Sequence, residues 1–124
     1  TVPIGGTMLN RLATEFAAEI ANHDWSDAPY RLDRAGHHRD QDSNRGKEVL
    51  TDVEADCIRT NVMWVTAQVL KHADPNFDLH EFAVACGVPR RYTHTKSGGR
   101  NGTIEAGIRM VGDYVYPPGG AMDE

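Results

Sequence analysis

The sequence predicts a mainly α-helical fold, a small helical domain around one long central helix with a C-terminal β-hairpin or irregular arm. Three observations lead there. Apolar residues recur at spacings of three and four in two long segments. Capping-box spacings at Thr51/Glu54 and Asp78/Glu81 mark two helix starts. Strand-like alternation is confined to residues 103–110.

The central helix is read over TDVEADCIRTNVMWVTAQVLKHA, residues 51–73. At about 100° per residue, Ile58, Val62, Val65 and Val69 share one narrow stripe, flanked by Ala55, Thr66 and Ala73. Val53, Cys57 and Trp64 lie nearly opposite. A helix apolar on two faces needs neighbours on two sides, so this one is placed centrally, with the valine-rich stripe inward.

Thr7 is positioned to cap an earlier helix, MLNRLATEFAAEIANH. Its predicted inner face is Met8, Leu9, Leu12, Ala13, Phe16, Ala17, Ile20 and Ala21. Residues 1–7 read as a tail. Residues 23–47 are mostly polar and aperiodic, longer than a compact domain usually leaves without structure or purpose. Within them APYRLDRA is read as a short helix ending at Gly36, pinned by Trp25, Tyr30 and Leu32. HHRDQDSNRGK then has no apolar residue.

Pro75 ends the central helix at the ADPN turn. Asp78 opens a short helix, DLHEFAVAC, whose buried face is Leu79, Phe82, Ala83 and Cys86, with Gly87 as its stop. Tyr92 to Thr95 favour extended structure. Ile104, Ala106, Ile108 and Met110 alternate with Thr103, Glu105, Gly107 and Arg109, which predicts a hairpin about Asn101–Gly102. A helical alternative through Ile104, Ile108, Val111 and Val115 is disfavoured by Gly107 and Gly112, each costing a helix about 1 kcal/mol. Residues 117–124 read as a second tail.

The totals narrow the function classes. A chain of 124 residues, 40% hydrophobic and 25% charged, suits one globular domain and not disorder. A formal charge of −5 argues against nucleic-acid binding by overall charge, though not against a local basic patch. Two cysteines, Cys57 and Cys86, are too few for a disulfide framework and are expected as buried free thiols. No apolar run approaches 18 residues, so no membrane span is expected and a soluble, cytoplasmic protein is the default.

Three constellations could carry function. The segment LHEFAVACGVPRRYTHTKSG, residues 79–98, resembles the helix-turn-helix pattern of bacterial and phage regulators: Ala83 between the helices, Gly87 at the turn, and Val88 following it. Thr93 and Lys96 depart from the apolar anchors that the second helix needs. The resemblance implies a DNA-binding regulator whose Arg90, Arg91, Lys96 and Arg100 meet phosphates and base edges.

The overlapping run VLKHADPNFDLHEFAVACGVP is similar to a segment of small uncharacterised actinobacterial phage proteins. That likeness implies a phage accessory protein that binds a host protein, in the host cytoplasm.

The third constellation is the polar segment. Arg31, Arg34, His37, His38, Arg39 and Asp40 suit a polar contact with a partner protein or a phosphate-bearing ligand. The same stretch offers a metal alternative, His37, His38, Asp40 and Asp42, for a metal-dependent hydrolase or nuclease. Adjacent histidines in a loop do not readily converge on one ion, and no HExxH or CxxC spacing supports them. No GxSxG, Walker or GxGxxG motif is present, His72 and His80 read as turn and surface residues, and no cofactor is expected.

The reading is therefore a non-enzymatic binding protein. DNA binding and metal-dependent hydrolysis are the alternatives, and a symmetric dimer across the Trp64 side of the central helix remains open.

Overall fold

A computed structural model of the chain describes residues 9–30, 32 and 49–119. Five helices and one small hairpin follow in order: α1 (Arg11–Asn22), α2 (Asp52–Ala73), α3 (Leu79–Ala85), α4 (Arg90–Thr93), α5 (Thr103–Ala106), β1 (Met110–Val111) and β2 (Tyr114–Val115). The fold is mainly helical around a long central helix, as predicted. No helix among the described residues is long and apolar enough to cross a membrane.

Local chemistry sets each start. Asn10, not Thr7, caps α1, accepting the Ala13 N–H at 2.8 Å. Thr51 closes the expected capping box on α2, accepting the Glu54 N–H at 3.2 Å while Glu54 takes the Thr51 N–H at 2.9 Å. Asp78 caps α3 through the Glu81 N–H at 3.0 Å. Gly87 ends α3 with φ +86°, where the Val88 N–H reaches back to the Ala83 carbonyl at 3.1 Å. A side chain at such a φ is strained, so glycine belongs there.

The three longer helices pack on one another. Their shared core contains Ala13, Ala17 and Ile20 of α1, Met63 and Ala67 of α2, and Leu79, Phe82 and Ala83 of α3; Ile104 of α5 closes it. Phe77 and Phe82 meet in a tilted ring pair 5.2 Å apart. Trp25 is half-buried, and its indole N–H donates to the Ile20 carbonyl at 3.0 Å. Of the predicted short helix, Ala28–Tyr30 form a 3-10 turn and residues 31 and 33–36 lie outside the described residues; Tyr30 and Leu32 are exposed and do not pin it to the core. The Leu50 N–H donates to the Ser26 carbonyl at 2.6 Å, so the two ends of the polar segment lie side by side.

The central helix is rotated from its predicted setting. Thr60, Met63, Ala67, Gln68 and Leu70 are buried, whereas Val65 is 73% and Val69 47% exposed and Ile58 and Val62 are only half-buried. The reason is polar. Gln68 is nearly sealed, its Oε1 accepting the Arg109 N–H at 2.9 Å while its Nε2 donates to the carbonyls of Arg109 at 3.2 Å and Tyr116 at 3.1 Å. Trp64 donates its indole N–H to the Ile104 carbonyl at 2.9 Å. Both side chains dock the C-terminal segment onto α2 and fix which face turns inward.

Other expectations are corrected by the same packing. Leu12 and Phe16 point outward from α1, and Cys57 is exposed, while Cys86 is buried and its thiol is pushed up to about 12 by that burial. Tyr92 and Thr93 are helical, not extended. Ile104 sits in the single turn α5, so residues 103–110 do not alternate as a strand. The hairpin lies farther on, pairing Met110 with Val115 and Val111 with Tyr114 around Gly112, whose φ is +57°. Gly107 has a separate duty, since a Cβ there would overlap the Trp64 indole. The Trp64 ring is thus partly covered by the chain's own C-terminal segment, while Val53 and Cys57 on the same side of α2 are exposed.

Replacing Gln68 by leucine keeps the volume and removes three hydrogen bonds to the part-buried backbone of Arg109 and Tyr116. Urea denaturation of Gln68→Leu is expected to show a stability loss of about 2–4 kcal/mol. A loss under about 1 kcal/mol would mean that the amide does not hold the C-terminal segment.

Candidate functional site

Two surfaces stand out. The first is the outer face of α2, where Ile58, Val62, Val65 and Val69 follow one another at spacings of 4, 3 and 4 residues. At 100° per residue this stripe lies nearly opposite Met63, Ala67 and Leu70. A shallow hollow of about 260 Å³ is lined by Ile58, Asn61, Val62 and Val65. A second groove of about 300 Å³ continues past Val65 and Val69 to Gly107, Arg109 and Pro118. Val65 borders both. An apolar stripe with hollows beside it is the form of surface that accepts the side chains of another helix.

The second surface is the basic corner after Gly87. Pro89 starts α4, and the chain then turns back so that the His94 and Arg100 backbones bridge. The structure brings Arg90, Arg91, Lys96 and Arg100 to this corner, all exposed, but not as four equivalent cations. Arg91 donates to Asp56 at 3.0 Å and lies over the Tyr92 ring at 4.8 Å. Asp56 also takes Arg59 at 2.9 Å. Arg100 donates to Asp78 at 3.1 Å. Arg90 and Lys96 have no carboxylate partner among the described residues.

The residues read as a helix-turn-helix fall in α3, the turn at Gly87 and α4. Ala83 is fully buried, Gly87 makes the left-handed turn and Val88 packs into the core. The second helix, α4, is a single turn of four residues. Thr93, the polar residue where an apolar anchor is expected, is nonetheless buried, and its carbonyl accepts the His80 Nε2–H at 2.6 Å. His80 is therefore an internal brace between α3 and α4 and not a surface residue. His94 stands edge-on to it at 5.0 Å, with Nδ1 2.8 Å from the Thr93 hydroxyl. Loss of hydration, then the charges of Arg90, His80 and Arg100, hold the His94 imidazole below its ordinary range.

The polar-segment candidates Arg31, Arg34, His37, His38, Arg39, Asp40 and Asp42 lie outside the described residues. Upstream of them, His23 packs on Trp25 at 4.3 Å, and the Asp24 carboxylate accepts the Ser26 N–H and hydroxyl. Among the described residues no three His, Cys, Asp or Glu side chains are grouped to hold a metal ion. The residues that sequence reasoning misplaced are the α2 valines: their spacing was visible, but the spacing alone does not say whether the partner helix belongs to the same chain. No family model matches the chain, and neither a curated protein nor a solved structure matches it.

Asp78 couples the corner to the core. Burial raises its pKa, but the Glu81 N–H, the Arg100 guanidinium and the His80 charge outweigh that and hold it below its ordinary value of 3.8. The stability it adds is full above the unfolded value and is lost as pH falls through the lowered folded one. Asp78→Ala is expected to cost about 1–2 kcal/mol near neutral pH, and the gap to the parent to close in urea titrations below pH 3.8. A gap that does not change with pH would show that the charge on Asp78 is irrelevant.

Proposed function

We propose that this protein is a non-enzymatic binding protein, and that the outer face of α2 is its main contact surface. The observation that carries the reading is Val65, an aliphatic side chain 73% exposed at the centre of an apolar stripe on a helix otherwise fixed in place. Leaving such a stripe in water forgoes about 1.5–3 kcal/mol per aliphatic side chain that burial would return. A partner supplies that burial. The likeness to phage proteins in residues 69–89 supports a phage accessory protein that acts on a host protein in the host cytoplasm, with the polar segment and the basic corner as flanking contacts.

The test uses one substitution on the stripe. Val65→Glu leaves the core untouched, so its thermal unfolding is expected to match the parent within about 0.5 kcal/mol. Quantitative pull-downs of the parent and the variant should then differ by at least tenfold in the partner recovered. Equal recovery would reject the α2 face as the contact surface.

A second reading, DNA binding, is favoured by one observation: Gly87 makes a left-handed turn between buried Ala83 and buried Val88, and Arg90 and Lys96 are exposed just beyond it. It predicts a gel shift on duplex DNA that weakens steeply with salt, because phosphate contacts release counterions. Arg90→Ala and Lys96→Ala should each flatten that slope. No shift at low salt removes this reading.

A further inference from the structure

We propose that His94, set between Arg90 and Arg100 at the basic corner, is the centre of an anion site that takes a terminal phosphate group together with a proton. The inference is independent of the α2 face. It differs from the DNA reading in its ligand, a doubly charged phosphate end instead of a phosphodiester chain.

The backbone brings the side chains together. Arg90 and His94 stand one turn apart, joined by the His94 N–H to the Arg90 carbonyl at 2.9 Å, so their side chains are neighbours. The chain then returns on itself. The Thr95 N–H donates to the Gly99 carbonyl at 2.8 Å and the Asn101 N–H to the Thr93 carbonyl at 2.9 Å, one bond on either side of His94 and Arg100. His94 and Arg100 are therefore a non-hydrogen-bonded antiparallel pair, the arrangement that sets two side chains closest on one face. From α3, His80 stands edge-on at 5.0 Å. His94 thus has a cation on each side and a second imidazole against it.

These neighbours leave positive charge unanswered. Loss of hydration, then the charges of Arg90, His80 and Arg100, disfavour the imidazolium of His94. The Asp78 carboxylate of α3 is already taken by Arg100 at 3.1 Å and by the Glu81 N–H at 3.0 Å, and Arg91 is drawn off to Asp56 of α2. Arg90 has room for a ligand, since even a Cβ added at Gly98 would stand 4.0 Å from its guanidinium. His94 Nδ1 lies 2.8 Å from the Thr93 hydroxyl, which leaves Nε2 to donate to a ligand. An oxyanion here meets the Arg90 fork and the His94 Nε2–H, with the Arg100 charge behind them. It reverses the field at His94, so the imidazolium becomes the favoured form, and anion and proton each tighten the other's binding. Several positive charges match the double charge of a terminal phosphate better than the single charge of a diester.

The experiment is a proton NMR titration of the histidine rings in the full chain, at an ionic strength fixed with chloride, against inorganic phosphate, methyl phosphate and dimethyl phosphate. Phosphate and methyl phosphate are expected to raise the His94 pKa by about one pH unit, because an opposite charge at contact favours the imidazolium. The tighter of the two shows whether the group is taken free or as an ester. Sulfate, which keeps its charge throughout, should by the same linkage bind about tenfold tighter at about pH 5 than at about pH 8. Arg90→Gln, at an exposed position, should remove most of the response while keeping the parent's circular dichroism, and His94→Gln should make sulfate binding independent of pH. The proposal is overturned if His94 does not respond, if His23 responds as strongly, if Arg90→Gln changes nothing, or if the pH dependence survives His94→Gln. An equal response to dimethyl phosphate also overturns it, and returns the corner to the diester backbone of DNA. None of these outcomes bears on the α2 face, whose pull-down is a separate measurement.

Discussion

The rotation of α2 about its own axis is the constraint on which the rest of the molecule depends, and Gln68 sets it. A carboxamide can accept and donate at once, so it pairs with the N–H and carbonyl of Arg109 much as a neighbouring strand would, and adds the Tyr116 carbonyl. Those backbone groups come from a segment with only two-residue strands, in which the Arg109 carbonyl also accepts the Tyr116 N–H at 3.0 Å. With Trp64 bonded to the Ile104 carbonyl one turn earlier, the polar side of α2 holds the C-terminal third of the chain. Turning the helix to bury its valines would break every one of these bonds.

This explains which parts of the fold were legible in the sequence. Two helix starts were legible because capping is local: Thr51 and Glu54 close both bonds of a capping box, and Asp78 accepts the Glu81 N–H. The stop at Gly87 was legible for the same reason. The facing of α2 was not, because hydrophobicity ranks valine above glutamine and alanine while the fold ranks them by fit. Ala67 allows close helix approach and Gln68 is fully satisfied, so both are inside. Residues 103–115 misled for a related reason. Their alternation is real, but Ile104 is claimed by the core and Gly107 by the Trp64 ring, and the hairpin is displaced to where Gly112 permits the turn.

The basic corner shows how charge on a sequence differs from charge on a surface. Four cations gathered after Gly87 suggested an anion-binding arm. Two of them are structural: Arg91 ties α4 to α2 through Asp56, and Arg100 ties the returning chain to the N-cap of α3 through Asp78. Partly exposed pairs of this sort add little energy individually. Their geometric effect is larger, because with His80 on the Thr93 carbonyl they hold a one-turn helix that could not persist alone. Arg90 and Lys96 are what remain for a ligand.

A helix apolar on two faces needs company on both, and the structure divides that company unequally. One face of α2 is served from within by α1 and α3, and the side carrying Trp64 and Gln68 by the C-terminal segment. Of the stripe, Val62 packs against the core and Ile58 is half-buried, whereas Val65 and Val69 are exposed. Selection for stability alone would place charged or polar side chains there, as it has along Glu15, Glu19 and Asn22 of α1. Val65 and Val69 instead lower the helix propensity slightly and expose apolar area. The same rotation that secures the core therefore turns Val65 and Val69 to the outer face of the helix.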